Sequence, residues 1–236
     1  MGVNRGPSPI ITDGLVFAVD AGNTRCYTSG STIENDLIYG NQGSLENGLG
    51  YDPDGNGSWN FDGGDDEIDL GSITSSNPIS LAGQTTVTIE IWCNPTGGAG
   101  DRWQRVIDKS DSGSGGNGYS IWVSDQGSKV IGFGIDGVNV INNYTDSTLE
   151  FGEWNHIVFT KDGNTNKYYR NTSVKNTTTT AATIPSDTTN AKIGTWNHTT
   201  GREFKGKIAS IRIYTKALTE AEITQNFNAQ KSRFGL

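Results

Sequence analysis

The run Thr86-Val-Thr-Ile-Glu-Ile-Trp-Cys93 decides the fold. Successive side chains of an extended chain point to opposite faces. Val87, Ile89, Ile91 and Cys93 therefore share one side, and Thr88, Glu90 and Trp92 the other. The run predicts a strand with one core face and one mixed face, and it places Cys93 in the core as a free thiol behaving as a small hydrophobe.

Outward from this run the same period recurs. Leu15, Phe17 and Val19 alternate with Val16, Ala18 and Asp20, which marks a strand with both faces at least partly covered. Further strands are predicted at Gln104–Asp108, Tyr119–Val123, Val130–Ile135, Val138–Asn142, Trp154–Lys161, Lys167–Asn171, Ala191–Thr195 and Lys207–Tyr214. Turn residues separate them at the spacing of an all-β sandwich. Trp59–Leu70 holds two short alternating runs about Gly63-Gly64, hence a hairpin with Trp59, Phe61, Ile68 and Leu70 inward. Residues 22–57 are rich in Gly, Asn and Asp and predict a long surface excursion with at most one short strand near Ser44–Leu45.

One helix, over about 219–229, closes the chain. Thr219 is its N-cap, Glu222 completes a capping box, and Leu218 with Ile223 form a hydrophobic staple. It is expected against a sheet edge or rim, with Arg233-Phe-Gly-Leu236 as a short tail beyond. Residues 1–11, stiffened by Pro7 and Pro9, read as an N-terminal arm that either waves or docks on a partner, and residues 12–236 as one domain.

Composition agrees. Among 236 residues there are 32 glycines and one methionine, which suits short strands and many turns. A net charge of −8 with scattered lysines and arginines supplies no field for phosphates, so nucleic acid is not an expected partner. The first twelve residues lack an apolar run and no later segment could cross a bilayer, so neither a signal peptide nor membrane insertion is expected. Cys26 and Cys93 lie far apart and in no ligand-like spacing, which argues against zinc and against a disulfide scaffold.

Few constellations carry chemistry. His156 and His198 have no nucleophile that the sequence pairs with them, and His156 is expected as a hydrogen-bonded sheet residue. Asp52-Pro-Asp54-Gly-Asn56-Gly57 has the opening of a calcium loop, but Gly63 stands where the bidentate glutamate belongs, so an Asp/Gly turn is the simpler reading and the metal stays unassigned. Glu67 and Asp69, alternate residues of one strand, share a face, and a retaining glycosidase needs two carboxyl groups about 5–5.5 Å apart, so a catalytic pair is conceivable there. Trp103, Tyr144, Trp196, Asn197 and His198 fall in predicted loops, where an aromatic face and amide donors suit a sugar ring. The competing reading is that these aromatics plug the ends of the sandwich or pack on a neighbouring subunit.

The order Asp13-Gly-Leu-Val-Phe-Ala-Val-Asp-Ala-Gly-Asn23, Phe61-Asp-Gly-Gly-Asp-Asp-Glu-Ile-Asp-Leu70, Thr88-Ile-Glu-Ile-Trp92, Gly152-Glu-Trp-Asn-His-Ile-Val-Phe-Thr-Lys-Asp-Gly163 and Phe204–Ile223 resembles the laminin-G-like, concanavalin A-like jelly rolls. The resemblance covers roughly residues 13–236 and implies an all-β, two-sheet antiparallel jelly-roll sandwich with one short C-terminal helix. This fold hosts lectins, adhesion modules and glycanases. The opening and the ending, Ala217-Leu-Thr-Glu-Ala-Glu-Ile-Thr-Gln-Asn-Phe-Asn-Ala-Gln-Lys-Ser-Arg-Phe-Gly-Leu236, look most like versions in virion structural proteins of tailed phages, marine phages in particular.

That implies a non-enzymatic, surface-exposed virion protein made in a host cytoplasm. Its implied partners are capsid or tail proteins, copies of itself and host-surface glycans, with adhesion as its activity. The alternatives are a free-standing carbohydrate-binding module and, last, a glycanase. Two departures matter. The acid that helps hold calcium in related closing strands is missing from Gly206-Lys-Ile-Ala-Ser210, and the glucanase motif resembled by Glu67-Ile-Asp69 ends here in Gly71-Ser72 without its further glutamate.

Overall fold

The computed structural model describes residues 8–97, 103–125 and 128–236, so the first seven residues of the expected arm lie outside the described residues. Among the described residues the strands in chain order are β1 (Leu15–Asp20), β2 (Ile33–Asn35), β3 (Gln42–Glu46), β4 (Gly50–Asp52), β5 (Ser58–Asp62), β6 (Glu67–Ser72), β7 (Thr86–Pro95) and β8 (Gln104–Lys109). Then follow β9 (Tyr119–Ser124), β10 (Val130–Ile135), β11 (Val138–Thr145), β12 (Asn155–Asp162), β13 (Thr165–Arg170), β14 (Ser173–Thr179), β15 (Asn190–Ile193), β16 (Lys205–Tyr214) and the helix α1 (Glu220–Gln230). No helix among them is long and apolar enough to cross a membrane.

Two antiparallel eight-stranded sheets result. The first runs β14-β13-β12-β7-β16-β5-β4, with β1 also on β16; the second runs β11-β10-β9-β8-β15-β6-β3-β2. One edge of β16 is held by β7, while its other edge pairs with β5 over Lys205–Ile208 and with β1 over Ser210–Tyr214. Val87, Ile89, Ile91 and Cys93 of β7 enter one continuous core with Ile107, Ile121 and Phe133 of the second sheet. Full burial of such a side chain stabilises by roughly 1.5–3 kcal/mol. Cys93 is buried and free, as expected from its phase, and so is Cys26.

The second face of β7 is covered as well, and this corrects the expected seat of the helix. Instead of lying at an edge or rim, α1 lies across the outer face of the first sheet, where Leu218 and Ile223 pack with Ala18, Val158, Tyr169 and Tyr214. The capping box forms as predicted, with Thr219 accepting from Glu222 N and the Glu222 carboxylate accepting from Thr219 N. The reason for the seat is chemical. Glu90 and Trp92 are bulky and sit mid-sheet, and a cover supplies Asn226 to the first and aromatic rings to the second.

Other expectations are corrected too. Trp59, Phe61, Ile68 and Leu70 all point inward, yet β5 and β6 are not a hairpin. They belong to different sheets, so the Gly63-Gly64 link crosses the sandwich. Residues 22–57 are not an excursion with one strand at most; β2, β3 and β4 form there because β6 and β5 offer them edges. The edge strand β14 has no counterpart among the expected strands, since Ser173–Thr179 is largely exposed and has no apolar alternation.

Both ends of the described chain dock. Arg233 and Phe234 are no tail: Arg233 donates to Asp20 at 2.7 Å and to Gly55 and Gly57 carbonyls, while Phe234 is buried on Trp92. At the other end the described part of the arm is bound by this chain's own helix and sheet. Pro9 O accepts from Gln225, Ile11 N donates to Asn226, and Ile11 O accepts from Tyr214.

Candidate functional site

The outer face of the second sheet carries a cleft of about 210 Å³. Its floor follows from the sequence of β10, Val-Ile-Gly-Phe-Gly-Ile, which sends Ile131, Phe133 and Ile135 into the core and leaves Gly132 and Gly134 outward. Glycine in a strand marks close approach of another group. A Cβ at Gly132 would lie 2.2 Å from the Trp122 ring, and one at Gly134 would lie 2.4 Å from the backbone of Ser114. The Trp122 indole thus lies flat on β10, tied by its Nε1–H to Asn143 Oδ1 at 2.7 Å.

On this floor stands a ladder of alternating indole and guanidinium groups. Arg105 lies over Trp122 (4.9 Å) and Trp196 (5.2 Å), and Arg202 lies over Trp196 (3.8 Å) and Trp103 (5.1 Å). Such contacts contribute about 0.5–2 kcal/mol each, more where water is excluded. Arg105 also donates from Nη1 to Trp103 O at 3.0 Å, and its Nε is 3.4 Å from Asp108 Oδ2 without forming a hydrogen bond. Burial pulls the Arg105 pKa down to about 10, with Asp108 opposing and Arg202 adding to the shift. Burial likewise pushes Asp108 up to about 6, against the hydrogen bonds of its serine neighbours and the charge of Arg105.

Three residues lining the cleft hold left-handed backbone: Trp103 (φ 64°), Ser114 (φ 59°) and Asn143 (φ 41°). For a bulky residue such as tryptophan that conformation is unfavourable by about 1–3 kcal/mol and persists where surrounding contacts fix it. The ladder is one such set of contacts.

Of the residues singled out from sequence, the fold brings Trp103 and Trp196 together with Arg202 between them, and sets His198 edge-on against Trp196 at 5.2 Å. Asn197 is spent on structure: its side-chain amide donates to the Ser110 and Asn190 carbonyls. Tyr144 is a correction, because it lies in β11 rather than in a loop and packs toward the core beside Tyr168. Sequence reasoning missed Arg105, Trp122, Asn139, Asn143 and Arg202. The alternating glycines of β10 were the available signal for Trp122.

The carboxylates are engaged elsewhere. Glu67 accepts from Lys192 at 2.8 and 3.0 Å, while Asp69 accepts from Gly71 N at 2.7 Å and faces Asn190. In the Asp52–Gly57 turn the Asp52 carboxylate is held by the Lys207 ammonium, and the hydrogen bond from that ammonium keeps its pKa below the usual range. Asp62, Asp65 and Asp66 cluster at the crossing between sheets, with Asp62 and Asp66 accepting from backbone N–H groups of that turn. His156 is buried in the first sheet, 2.8 Å from Glu90, in agreement with its expected role.

A family model described as the concanavalin A-like lectin/glucanases superfamily matches residues 62–224. No curated protein sequence matches the chain. Among solved structures, domain 4 of the extracellular arabinanase AbnA of Geobacillus stearothermophilus, in complex with arabinotriose, is similar at a TM-score of 0.62 and 16% identity, covering 90% of this chain and 97% of that one. Trypanosoma rangeli sialidase with the inhibitor DANA gives a TM-score of 0.66 and 12% identity over 95% of this chain, which spans only 34% of the sialidase. The receptor-binding domain of a botulinum neurotoxin C/D mosaic serotype gives 0.66 and 14% identity over 93% of this chain and 52% of that one. Identities this low speak for the fold alone.

Proposed function

This chain belongs to the concanavalin A-like lectin/glucanase superfamily, and from that premise we propose that it is a non-enzymatic adhesion module that binds carbohydrate on the outer face of its second sheet. The observation that carries the reading is the cleft of tryptophan, arginine and asparagine side chains, in which the half-buried Trp103 stands beside hydrogen-bonding groups. The non-catalytic part is supported by Glu67 and Asp69, whose carboxylates are taken up by Lys192 and by Gly71 N–H with Asn190. A glycan array probed with the whole chain tests the binding. Retention of a defined set of saccharides, lost in Trp103→Ala, is expected, and a blank array from folded protein would remove the reading. Release of reducing sugar that disappears in Glu67→Gln would overturn its non-catalytic half.

The setting we propose is the virion of a tailed phage, with the module attached to capsid or tail proteins or to its own copies. Support comes from the resemblance of the opening and closing segments to such proteins. The chain should be present in washed particles in a copy number set by particle symmetry, and its absence would end this part of the proposal.

A further inference from the structure

We infer that the turn between β2 and β3, with Ile38 and Tyr39 at its tip, is the surface through which this chain pairs with a second copy of itself. The inference rests on the attachment to its own copies proposed above and names the surface for it. The turn lies at the opposite edge of the second sheet from the cleft strands β9, β10 and β11.

The distribution of side chains is the first argument. Among the described residues six large apolar side chains are exposed, and three of them, Ile33, Ile38 and Tyr39, belong to β2 and this turn. Tyr39 is 61% exposed and Ile38 40%. Between Arg25 and Glu46 the only charged residues are Glu34 and Asp36, and both are buried, so this stretch adds no charge to the surface of a chain with 26 acids and 18 bases. The centre of a protein interface is depleted of charge in this way and enriched in tyrosine.

Rigidity is the second argument. The buried Asp36 carboxylate accepts four hydrogen bonds, from Ala18 N, Ile38 N, Tyr39 N and Asn41 Nδ2, at 2.9–3.1 Å. Asp36 N donates to Asn41 O at 2.8 Å and Leu37 N to Ala18 O at 2.9 Å, which closes the turn and fixes it to β1. Leu37 packs against the core below. The backbone that carries Ile38 and Tyr39 is thus set before any partner arrives, which lowers the ordering cost on binding.

Charge chooses the partner. At −8, two copies of this chain repel, and contact between them is favoured where no like charges meet. A two-fold axis through this turn sets uncharged side chains against their own counterparts and doubles the apolar area. A cationic partner finds no accessible carboxylate in the stretch. A saccharide finds the neighbouring amides engaged: Asn41 donates to Asp36 and accepts from Asn77, and Asn35 donates to Cys26 O and accepts from Gln42. Strand-to-strand pairing is closed as well, because the Ser31 hydroxyl holds both Ile33 N and Ile33 O, and Cys26 O holds Asn35 N. The contact is therefore made by side chains and is small, and interfaces under about 1,200 Å² are weak. A dissociation constant on the order of 10–100 µM follows.

The test is sedimentation equilibrium of the whole chain from about 5 to 500 µM, at about 0.05 and 0.5 M NaCl. A reversible dimer is expected, and salt should not weaken it, because no ion pair crosses the contact and screening relieves the repulsion between copies. Tyr39→Ser should weaken the dimer at least tenfold, and Ile38→Ser with Tyr39→Ser should leave a monomer. Both side chains are exposed, so circular dichroism should show the native fold in either variant. Val174→Ser, which alters an exposed apolar residue on β14, should leave the dimer as it is. A monomer at every concentration overturns the inference, and so does a dimer that survives the double substitution or dissociates in salt. A monomer that pellets with phosphatidylcholine vesicles, and no longer does so in the double variant, overturns it in favour of a lipid surface. Saccharide retention by the double variant is expected to match that of the wild type, so loss of the dimer leaves the cleft reading standing.

Discussion

Trp92 and Phe234 lie face to face, ring centroids 4.2 Å apart and planes 19° apart, so the end of the chain is stacked on the central strand of the first sheet. Phe227 and Trp154 complete the group, at 5.7 Å from Trp92 and 4.6 Å from Phe234. Aromatic pairs of this kind contribute about 0.5–1.5 kcal/mol beyond the area they bury. The helix and its extension thus form the outer layer of the sandwich instead of an appendage.

Phe234→Ala is expected to destabilise the protein by about 3 kcal/mol, since it removes a buried ring and opens a space beside Trp92. Urea denaturation followed by tryptophan fluorescence measures this directly. A shift under about 0.5 kcal/mol, the range of ordinary surface changes, would show that the last turn does not hold the helix down.

Beneath the helix, Glu90 is fully buried and accepts from His156 at 2.8 Å and Asn226 at 2.7 Å, with Arg212 3.6 Å away. Burial alone raises its pKa, but the hydrogen bond from His156, the charge of Arg212 and the remaining donors outweigh it, and the pKa stands below its ordinary value. The carboxylate therefore contributes stability above the unfolded pKa of about 4.3, and that contribution is lost as pH falls through the lower folded value. Glu90→Gln should cost about 3 kcal/mol at pH 7, because Arg212 is left in a buried site with less compensation. The gap between variant and wild type should narrow below pH 4, which chemical denaturation across pH would reveal.

Glu34 behaves in the opposite sense. It is buried with Oε1 unpartnered and Oε2 3.6 Å from Cys26 Sγ, and burial pushes its pKa up to about 8. The folded state then holds a proton that the unfolded chain releases near pH 4.3, so stability declines as pH rises from that value to about 8. Glu34→Gln should flatten this decline and be more stable than wild type at pH 9, by on the order of 2 kcal/mol. Parallel pH profiles for the two proteins would refute it.

Gly132→Ala probes the floor of the cleft. The added methyl would sit 2.2 Å from the Trp122 ring and must drive the indole off β10, away from Asn143 and from under Arg105. Overpacking of this kind costs about 1–3 kcal/mol of stability. Saccharide affinity should fall at least tenfold with a red shift in tryptophan emission, and unchanged affinity would place the ligand elsewhere.

Much of the fold was legible because alternation is local. The inward set of Thr86–Cys93, the inward Trp59, Phe61, Ile68 and Leu70, and the capping box of Thr219 and Glu222 each follow from residues within one short segment. The cleft was legible only in part. Trp103 and Trp196 are legible as loop aromatics, whereas Tyr144 lies in β11 and Trp122 in β9, where strand alternation alone carries no sign of a cleft. Arg105 and Arg202 are far apart in sequence, and no local pattern says that they share one indole.

By itself the sequence determined the period-two strands, the phase of each, the buried free thiol of Cys93 and the start of the helix, since each depends on bond geometry and nearest neighbours alone. Only the tertiary structure decided that β5 and β6 part to different sheets, that β2, β3 and β4 find partners, and that α1 lies on a sheet face. It also decided that two distant arginines stack around Trp196. The reason is that strand pairing and burial are satisfied between segments remote in the chain, where many registers are locally equivalent and the packed whole selects one.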